Sequence, residues 1–241
     1  MDIDPDGLKV KVYKSKKQGI KQPKACQDGV LPKLHCSYLI IGRSGSGKTN
    51  ILLHLLNSKS LLKDAFDVII YLSDSCDDTC KDNLKIPKEN FVKDWDEEFV
   101  ERIIKSQENS VKKNGYLKTK NICLIFDDIL SKPKFLNSKT MMKCVTACRH
   151  FNISCIFNTQ SYKKLPRTIR LQARGLVLFP SSLGELVKFS EEQALPNMSN
   201  KKFLEAIQYI TNEPYQFCFI NNDAPMNEKL RKNFDTIIKP K

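Results

Sequence analysis

The sequence has no apolar run that approaches the roughly 18–20 residues that a membrane-spanning helix requires. Its longest apolar runs, at 38–41, 68–72 and 122–126, have the length of buried strands. The first six residues, Met-Asp-Ile-Asp-Pro-Asp, are acidic and polar, so we expect no secretory signal. These absences count against a membrane protein and a secreted scaffold, and we expect an intracellular protein.

The nine cysteines lack the spacing of a zinc site or a disulfide framework. No Cys-x-x-Cys pair occurs, and the pairs Cys76/Cys80 and Cys144/Cys148 have no histidine or second close pair beside them. Several other cysteines lie in or beside apolar runs, where a free thiol behaves as a small hydrophobe. We therefore expect reduced thiols that hold no metal.

Acidic residues are too few to balance the basic ones. Forty lysines and arginines stand against 27 acids, which gives a formal net charge of +13. Such an excess is typical of a nucleic-acid-binding surface, and it also arises from Lys-rich coding. Composition alone leaves both interpretations open. With 41% hydrophobic and 28% charged residues, the 241-residue chain suits one sizeable globular domain.

Strand-like and helix-like patterns alternate along most of the chain. We predict an α/β domain over 37–225. A basic arm over 1–36 precedes it, because seven lysines and no acid lie between Lys9 and Lys24. A frayed Lys-rich tail over 226–241 follows it. The patterns predict strands over 37–41, 68–72, 121–126, 153–158, 175–179 and 215–220, helices over 47–57, 96–113, 138–148, 184–193 and 201–211, and a polar loop over 73–83. This alternation favours a mainly parallel central sheet with helices on both faces.

A phosphate-binding loop follows the first predicted strand. Residues 42–49 read Gly-Arg-Ser-Gly-Ser-Gly-Lys-Thr and match G-x-x-x-x-G-K-[ST] in full. Glycines let successive N–H groups converge on phosphates, and the start of the next helix adds positive charge. Lys48 is predicted to bridge the β- and γ-phosphates of a nucleotide such as ATP, and Thr49 to ligate Mg²⁺. The predicted nucleotide-binding set is Gly42, Arg43, Ser44, Gly45, Ser46, Gly47, Lys48, Thr49 and Asn50.

An acidic pair, Asp127 and Asp128, ends a later apolar strand. Asp127 is predicted to hold Mg²⁺ through water or Thr49, and Asp128 is a candidate to polarise the attacking water. Because aspartate is one methylene shorter than the glutamate often found there, the metal role is better supported than the base role. The pair counts against a nucleotide-binding scaffold without turnover. No Asn-Lys-x-Asp tetrapeptide occurs, which separates the chain from small GTPases.

Two further groups are candidates to act on the γ-phosphate. The strand over 153–158 ends in amides, and either Asn158 or Gln160 is predicted to contact the lytic water or the leaving phosphate. Arg149, Arg170 and Arg174 are candidates for an arginine finger that reaches a neighbouring subunit, with Arg149 the first choice. Each arginine has solvent or DNA contact as its alternative. Basic residues after Asp128 leave a nucleotide kinase with a basic lid open as a rival interpretation.

The order of motifs between about residues 38 and 179 carries a resemblance. The phosphate loop is followed by Leu-Ile-Phe-Asp-Asp, Arg-His-Phe-Asn-Ile-Ser, Asn-Thr-Gln-Ser-Tyr and Leu-Pro-Arg-Thr-Ile-Arg. This order resembles the poxvirus-type DNA-packaging ATPases of large DNA viruses and virophages, within the FtsK–HerA superfamily. The resemblance implies a RecA-like ASCE P-loop fold, a homo-oligomeric ring of five or six subunits, and ATP-driven movement of double-stranded DNA into a preformed capsid. It also implies capsid-protein partners and action in the host cytoplasm or a viral factory.

The resemblance also implies roles for particular residues. The assigned roles are nucleotide and Mg²⁺ binding for Lys48 and Thr49, the acidic pair for Asp127 and Asp128, the sensor for Gln160, and the finger acting in trans for Arg149. One departure concerns Asp128, since superfamily members commonly end this strand in Asp-Glu. The departure leaves the metal role of Asp127 intact and the general-base role of Asp128 open. A nucleotide kinase-like phosphotransferase remains the alternative function.

Overall fold

A computed structural model describes residues 20–74 and 78–239 of the protein. The strands in these ranges are β1 (Ser37–Ile41), β2 (Val68–Leu72), β3 (Phe91–Val92), β4 (Ile122–Asp127), β5 (Ile153–Thr159), β6 (Gly175–Leu178), β7 (Cys218–Asn221), β8 (Leu230–Lys232) and β9 (Thr236–Ile237). The helices are α1 (Lys24–Gln27), α2 (Lys48–Asn57), α3 (Asp78–Asn83), α4 (Glu97–Asn114), α5 (Pro133–Leu136), α6 (Lys139–Thr146), α7 (Arg167–Gln172), α8 (Leu183–Gln193) and α9 (Asn200–Ile210). None of these helices is both long enough and apolar enough to cross a membrane.

All of these strands belong to one mixed sheet, in the order β3-β2-β4-β5-β1-β6-β7-β8-β9. The strands from β3 to β6 are parallel, and Ile41 at the end of β1 pairs with Thr159 at the end of β5. Strand β7 runs antiparallel to β6, with Cys218 opposite Leu178. The carboxyl ends of the parallel strands and the chain segment that enters β7 therefore meet at one edge of the sheet.

The central strands are buried on both faces, because helices cover each face. Along β1, Leu39 and Ile41 pack in one core cluster, whereas Tyr38 and Ile40 pack in the other. The first cluster takes its helical side chains from α4 to α9, and the second takes them from α1, α2 and α3. This arrangement confirms the predicted mainly parallel sheet with helices on both faces.

Capping side chains set the starts of two helices. The Asp96 carboxylate accepts a hydrogen bond from the backbone N–H of Phe99 at 2.8 Å, so α4 begins one residue later than predicted. The Ser138 hydroxyl accepts from the backbone N–H of Met141 at 3.0 Å, which confirms the predicted N-cap. Both caps satisfy amide groups that a helix start otherwise leaves unpaired.

The predicted polar loop over 73–83 is wrong at its end, where α3 forms. Cys80 in α3 and Leu84 just after it are buried in the core cluster that also holds α2. Isolated apolar residues in a polar stretch gave too weak a pattern for the sequence to indicate this short helix. The predicted strand over 215–220 begins only at Cys218, because Tyr215 adopts a left-handed turn conformation with φ of 64°.

The predicted arm over 1–36 is wrong for its second half. Residues 1–19 lie outside the described residues, but Ala25, Cys26 and Leu31 are buried in the core. The Asn221 amide nitrogen also donates to the Gly29 carbonyl at 2.9 Å, which ties this segment to β7. Small apolar side chains between lysines are enough to anchor the segment beneath the sheet.

The predicted frayed tail over 226–241 is also wrong for the residues that the structure describes. Strand β8 pairs with β7, and β9 pairs with β8, which extends the sheet by two strands. Leu230 and Phe234 are buried, and the Phe234 ring lies 4.9 Å from that of Phe219. Two well-placed apolar side chains thus hold a segment whose overall composition is polar.

The cysteines in the described ranges are all buried: Cys26, Cys36, Cys80, Cys123, Cys144, Cys148, Cys155 and Cys218. Burial is the main reason that the pKa of Cys26 rises to about 12, so its thiol stays protonated. Cys76, one member of a pair noted in the sequence, lies outside the described residues. Within the described ranges, cysteine serves as a small core residue.

Candidate active site

A cleft of about 500 Å³ opens at the edge of the sheet where the parallel strands end. Ligands of open α/β sheets bind at this edge, and the volume is typical of a small-molecule site. The lining residues come from the loop after β1, the starts of α2 and α3, the ends of β4 and β5, and the segment before β7. They are Ser44, Gly45, Gly47, Lys48, Thr49, Asn50, Thr79, Asp127, Asp128, Asn158, Thr159, Gln160 and Tyr215.

The phosphate loop needs glycine for two separate reasons. Gly47, which caps α2, has φ of 101°, a conformation that side chains rarely adopt. Gly42 faces a steric limit instead, because a Cβ atom there would lie 2.4 Å from the Ser46 hydroxyl and 2.8 Å from Cβ of Phe179. The predicted set divides accordingly. Residues 44, 45 and 47–50 line the cleft, whereas Gly42, Arg43 and Ser46 shape the loop around it.

Lys48 begins α2 and bends back over the loop. Its Nζ donates to the Arg43 carbonyl oxygen at 2.9 Å. Burial lowers the pKa of Lys48 below its usual value, and the nearby carboxylates of Asp127 and Asp128 oppose that shift. The ammonium is therefore held beside the acidic pair, as the bridging role predicted for it requires.

Asp127 is the most firmly held side chain of the site. One carboxylate oxygen accepts from the Tyr71 hydroxyl at 2.5 Å. The other accepts from the Asn158 amide nitrogen at 2.6 Å and from the backbone N–H of Asp128 at 3.2 Å. These contacts cross three neighbouring strands, since β4 lies between β2 and β5. Burial and the adjacent Asp127 carboxylate raise the pKa of Tyr71 well above its usual value, so Tyr71 remains a donor.

Asp128 lies just past the strand in a left-handed conformation, with φ of 50° and ψ of 41°. Aspartate tolerates this region better than most residues, and such conformations concentrate at functional sites. Asp128 is half-buried and lines the cleft. Its position suits the predicted contact with an attacking water, and its role as general base stays a prediction.

The donor set of the cleft fits a magnesium ion. Thr49 supplies a hydroxyl and Asp127 a carboxylate in the same cleft, and both are the oxygen ligands that Mg²⁺ prefers. Asp127 is held by donors on both oxygens, which orients it before any ion binds. Thr49 and Asp127 are therefore the residues that would hold the ion, as the sequence predicts.

The structure separates the two amides that the sequence left as alternatives. Asn158 is buried, its amide nitrogen is taken up by Asp127, and its carbonyl oxygen has no protein partner. Gln160 is exposed and also lines the cleft. Asn158 thus positions Asp127, whereas the contact of Gln160 with a γ-phosphate stays a prediction.

Arg170 is a structural residue, so its candidacy as an arginine finger is wrong. Its guanidinium makes a two-pronged ion pair with Glu192, with both N–O distances at 2.7 Å, and both side chains are more than nine-tenths buried. It also donates to the carbonyl oxygens of Lys163 and Leu165. The sequence could not indicate this, because Glu192 lies 22 residues further along the chain.

Arg149 and Arg174 lie at the edge of the sheet opposite the cleft. Arg149 is exposed in the turn that leads into β5, and Arg174 directly precedes β6. Arg174 pairs with Asp223 at 3.3 Å. Neither arginine can reach the cleft of its own chain, which agrees with a role in trans for Arg149; that role stays a prediction.

Sequence reasoning missed three residues of the site. Tyr71 holds Asp127, Thr79 lines the cleft from the unpredicted α3, and Tyr215 lines it from the turn before β7. None of them belongs to a local motif. Only the pairing of strands distant in sequence brings them to the phosphate loop.

Comparisons with known proteins agree with this geometry. A family model described as Poxvirus A32 protein matches residues 30–237. No match was found among curated proteins.

Two solved structures have similar folds. The DNA-packaging ATPase B204 from Sulfolobus Turreted Icosahedral Virus is 19% identical, with a TM-score of 0.57 over 78% of this chain and 93% of that chain. The genome packaging NTPase B204 from Sulfolobus turreted icosahedral virus 2, in complex with ATP-gammaS, is 17% identical, with a TM-score of 0.57 over 84% and 98%. At these identities the likeness supports the P-loop ATPase fold. Since the family match spans most of the sequence and the cleft carries the expected motifs, the chain belongs to the poxvirus A32 protein family.

Proposed function

We propose that the protein is an ATP-driven translocase that packages double-stranded viral DNA into a preformed capsid. The observation that carries this proposal is a complete phosphate loop facing an anchored Asp127 in a chain of the poxvirus A32 family. The two similar structures are named as a DNA-packaging ATPase and a genome packaging NTPase, and one of them holds ATP-gammaS. Action would take place at the site of virion assembly in the host cell.

In the proposed hydrolysis, the amides of the phosphate loop and Lys48 hold the β- and γ-phosphates. Thr49 and Asp127 would hold Mg²⁺, which would supply positive charge to the phosphates. Asp128 and Gln160 orient a water molecule for attack on the γ-phosphorus. As the new P–O bond forms, the bond from the γ-phosphorus to the β–γ bridging oxygen breaks, the proton of the water passes to Asp128 or to solvent, and free phosphate and ADP result.

A short connection leads from Gln160 to helix α8. The Glu185 carboxylate accepts from the Ser161 hydroxyl at 2.7 Å and from the backbone N–H groups of Tyr162 and Lys163 at 2.8 and 3.0 Å. The segment that directly follows Gln160 is therefore held to α8. A change at Gln160 when the γ-phosphate leaves would be passed to this segment.

Three basic residues on the same segment supply contacts for DNA. Lys163, Lys164 and Arg167 are exposed and follow Gln160 by only a few residues. Phosphate contacts from lysine and arginine do not depend on base sequence, as a packaging motor requires. The net charge of +13 supports the same partner.

Assembly into a homo-oligomeric ring of five or six subunits is supported by Arg149. This exposed arginine lies at the edge opposite the cleft of its own chain. In a ring it would stabilise the transition-state charge at a neighbour's cleft, in the manner of an arginine finger. Capsid proteins are the proposed docking partners of the ring.

Steady-state ATP hydrolysis with and without double-stranded DNA tests the proposal. We expect DNA to stimulate hydrolysis, and the apparent DNA affinity to fall at least about tenfold between roughly 50 and 200 mM salt. The double variant Lys163→Ala/Lys164→Ala should keep its basal rate and lose most of the stimulation. The matched double variant Lys201→Ala/Lys202→Ala, at exposed positions of α9, should behave as the wild type. Brisk hydrolysis that ignores DNA at every salt concentration would overturn the motor function.

The nucleotide kinase alternative depends on a lid formed by the basic residues after Asp128. The first of them, Lys132, pairs with Asp74 at 2.9 Å and lies over the Trp95 ring at 5.4 Å from the ring centre. These contacts engage Lys132 within the protein and count against a lid role for it. A label-transfer assay with γ-labelled ATP separates the two functions, because a motor releases free phosphate and a kinase labels an acceptor.

A further inference from the structure

The strand order gives the phosphate loop two different sides. On one side lie β5 and β4, whose ends carry Gln160 and Asp127, and the proposed mechanism assigns this side to the γ-phosphate. On the other side lie β6 and the antiparallel β7, and the segment entering β7 carries Tyr215 to the same edge. A nucleotide whose γ-phosphate lies toward Asp127 would therefore extend its base toward Tyr215.

Tyr215 presents an aromatic ring to the cleft. Its side chain is 70% exposed, although most large aromatic residues of the described chain are buried. Its Cδ1 atom lies 3.5 Å from the point where a Cβ on Gly47 would be, so the ring borders the phosphate loop. What distinguishes Tyr215 from Tyr209, which is similarly exposed, is that Tyr215 lines the cleft beside the phosphate loop.

Buried aromatic residues next to the turn support Tyr215. Two residues later, Phe217 is buried, and its ring centre lies 5.5 Å from that of Phe179. Phe179 in turn borders Gly47, with Cε1 3.6 Å from the same Cβ point. The turn that carries Tyr215 and the phosphate loop thus rest on one aromatic support.

The backbone of Tyr215 is also unusual for its residue type. Its φ of 64° lies in the left-handed region, which bulky side chains rarely adopt. Conformations of this kind persist where the surrounding structure holds them, and they cluster at ligand sites. Tyr215 is the only one of the described positive-φ residues that is neither glycine, aspartate nor asparagine, and it lines the cleft.

We propose that Tyr215 is the stacking surface for the nucleobase, an inference that rests on the nucleotide-binding function proposed above. A flat phenol ring binds the face of any base, because every base has a π surface. Tyr215 therefore strengthens binding of nucleoside triphosphates as a class, and we expect it to favour ATP and GTP to similar extents.

Calorimetric titration with three probes tests this inference: ATP, GTP and inorganic tripolyphosphate, each with Mg²⁺. Tyr215→Ala should weaken ATP and GTP binding about tenfold and leave tripolyphosphate binding unchanged, because only the nucleotides carry a base. Tyr215→Phe should keep the wild-type affinities. Tyr209→Ala removes a tyrosine of similar exposure on α9, outside the cleft, and should change nothing.

A second ringless variant, Tyr215→Asn, tolerates the left-handed backbone and separates the ring from the turn. It should lose nucleotide affinity as Tyr215→Ala does. Equal losses for ATP and tripolyphosphate, or wild-type ATP affinity in both ringless variants, would overturn the stacking role. Failure of the packaging function would look different, because it would appear in wild-type protein as ATP binding without any response to DNA.

Discussion

On one side of the phosphate loop, Asp127 is held by a hydrogen-bond network within the sheet, whereas on the other side Tyr215 lies on a turn and exposes most of its ring. The first side is rigid, polar and directional, as chemistry on a phosphate demands. The second side offers one apolar surface without directional contacts. We therefore expect the first side to determine turnover and the second side to determine affinity.

Removing the donor from Tyr71 tests the first side. Tyr71→Phe keeps the buried ring and deletes the 2.5 Å contact to Asp127. Loss of a partner that orients a metal ligand costs about 10–100-fold. We expect a fall of this size in kcat, a raised Mg²⁺ requirement and little change in ATP affinity, measured by steady-state kinetics across Mg²⁺ concentrations.

Tyr38→Phe is the matched control, since Tyr38 is equally buried and its hydroxyl contacts Pro32 away from the cleft. It should leave kcat and the Mg²⁺ requirement unchanged. Comparable kinetic losses in both variants would mean that Tyr71 supports the fold and not the orientation of Asp127.

Substitutions of Arg170 and Arg174, which line neither side of the cleft, should change ATP affinity least. Arg170→Ala removes the two-pronged partner of the buried Glu192 carboxylate, which keeps only Tyr162 and Lys188, and should cost about 3 kcal/mol of stability. Arg174→Ala breaks a half-exposed pair with Asp223 and should cost at most about 1 kcal/mol. Denaturant unfolding measures both values, and ATP affinity below the transition should stay near that of the wild type. Equal costs for the two arginines would contradict the structural role assigned to Arg170.

The Arg170 pair also has a defined pH dependence. Burial alone would raise the pKa of Glu192, but hydrogen bonds from Arg170 and Tyr162 outweigh it and lower that pKa. A carboxyl with a lowered folded pKa stabilises the protein above its ordinary value, near 4.3, and that contribution disappears as the pH falls through the folded value. The stability difference between wild type and Arg170→Ala should therefore shrink in acid below about pH 4.

The charged residues of the first side, unlike Tyr71, could be predicted from the sequence because they belong to two local motifs. Lys48 and Thr49 close the phosphate loop after β1, Asp127 and Asp128 stand at the end of β4, and the parallel order of these strands brings them to one edge. The sequence left the role of Asn158 open, because its hydrogen bond to Asp127 depends on the register of β4 and β5.

The second side could not be predicted, because it depends on long-range pairing. Tyr215 reaches the cleft only because β7 runs antiparallel to β6, and the sequence had placed it in a strand. The same holds for the C-terminal strands β8 and β9, whose polar composition suggested a frayed tail. A few buried apolar side chains determine the structure of those segments, and average composition does not reveal them.

Single-turnover hydrolysis of γ-labelled ATP by Asp127→Asn, with wild type alongside and with or without double-stranded DNA, tests the catalytic site most directly. Asparagine keeps the size of the side chain and removes the negative charge that we propose for Mg²⁺ binding. We predict that the variant still binds ATP and releases phosphate on the order of 10³-fold more slowly, while DNA accelerates only the wild type. Phosphate release at the wild-type rate by Asp127→Asn would contradict the assignment of this cleft as the site that drives the motor.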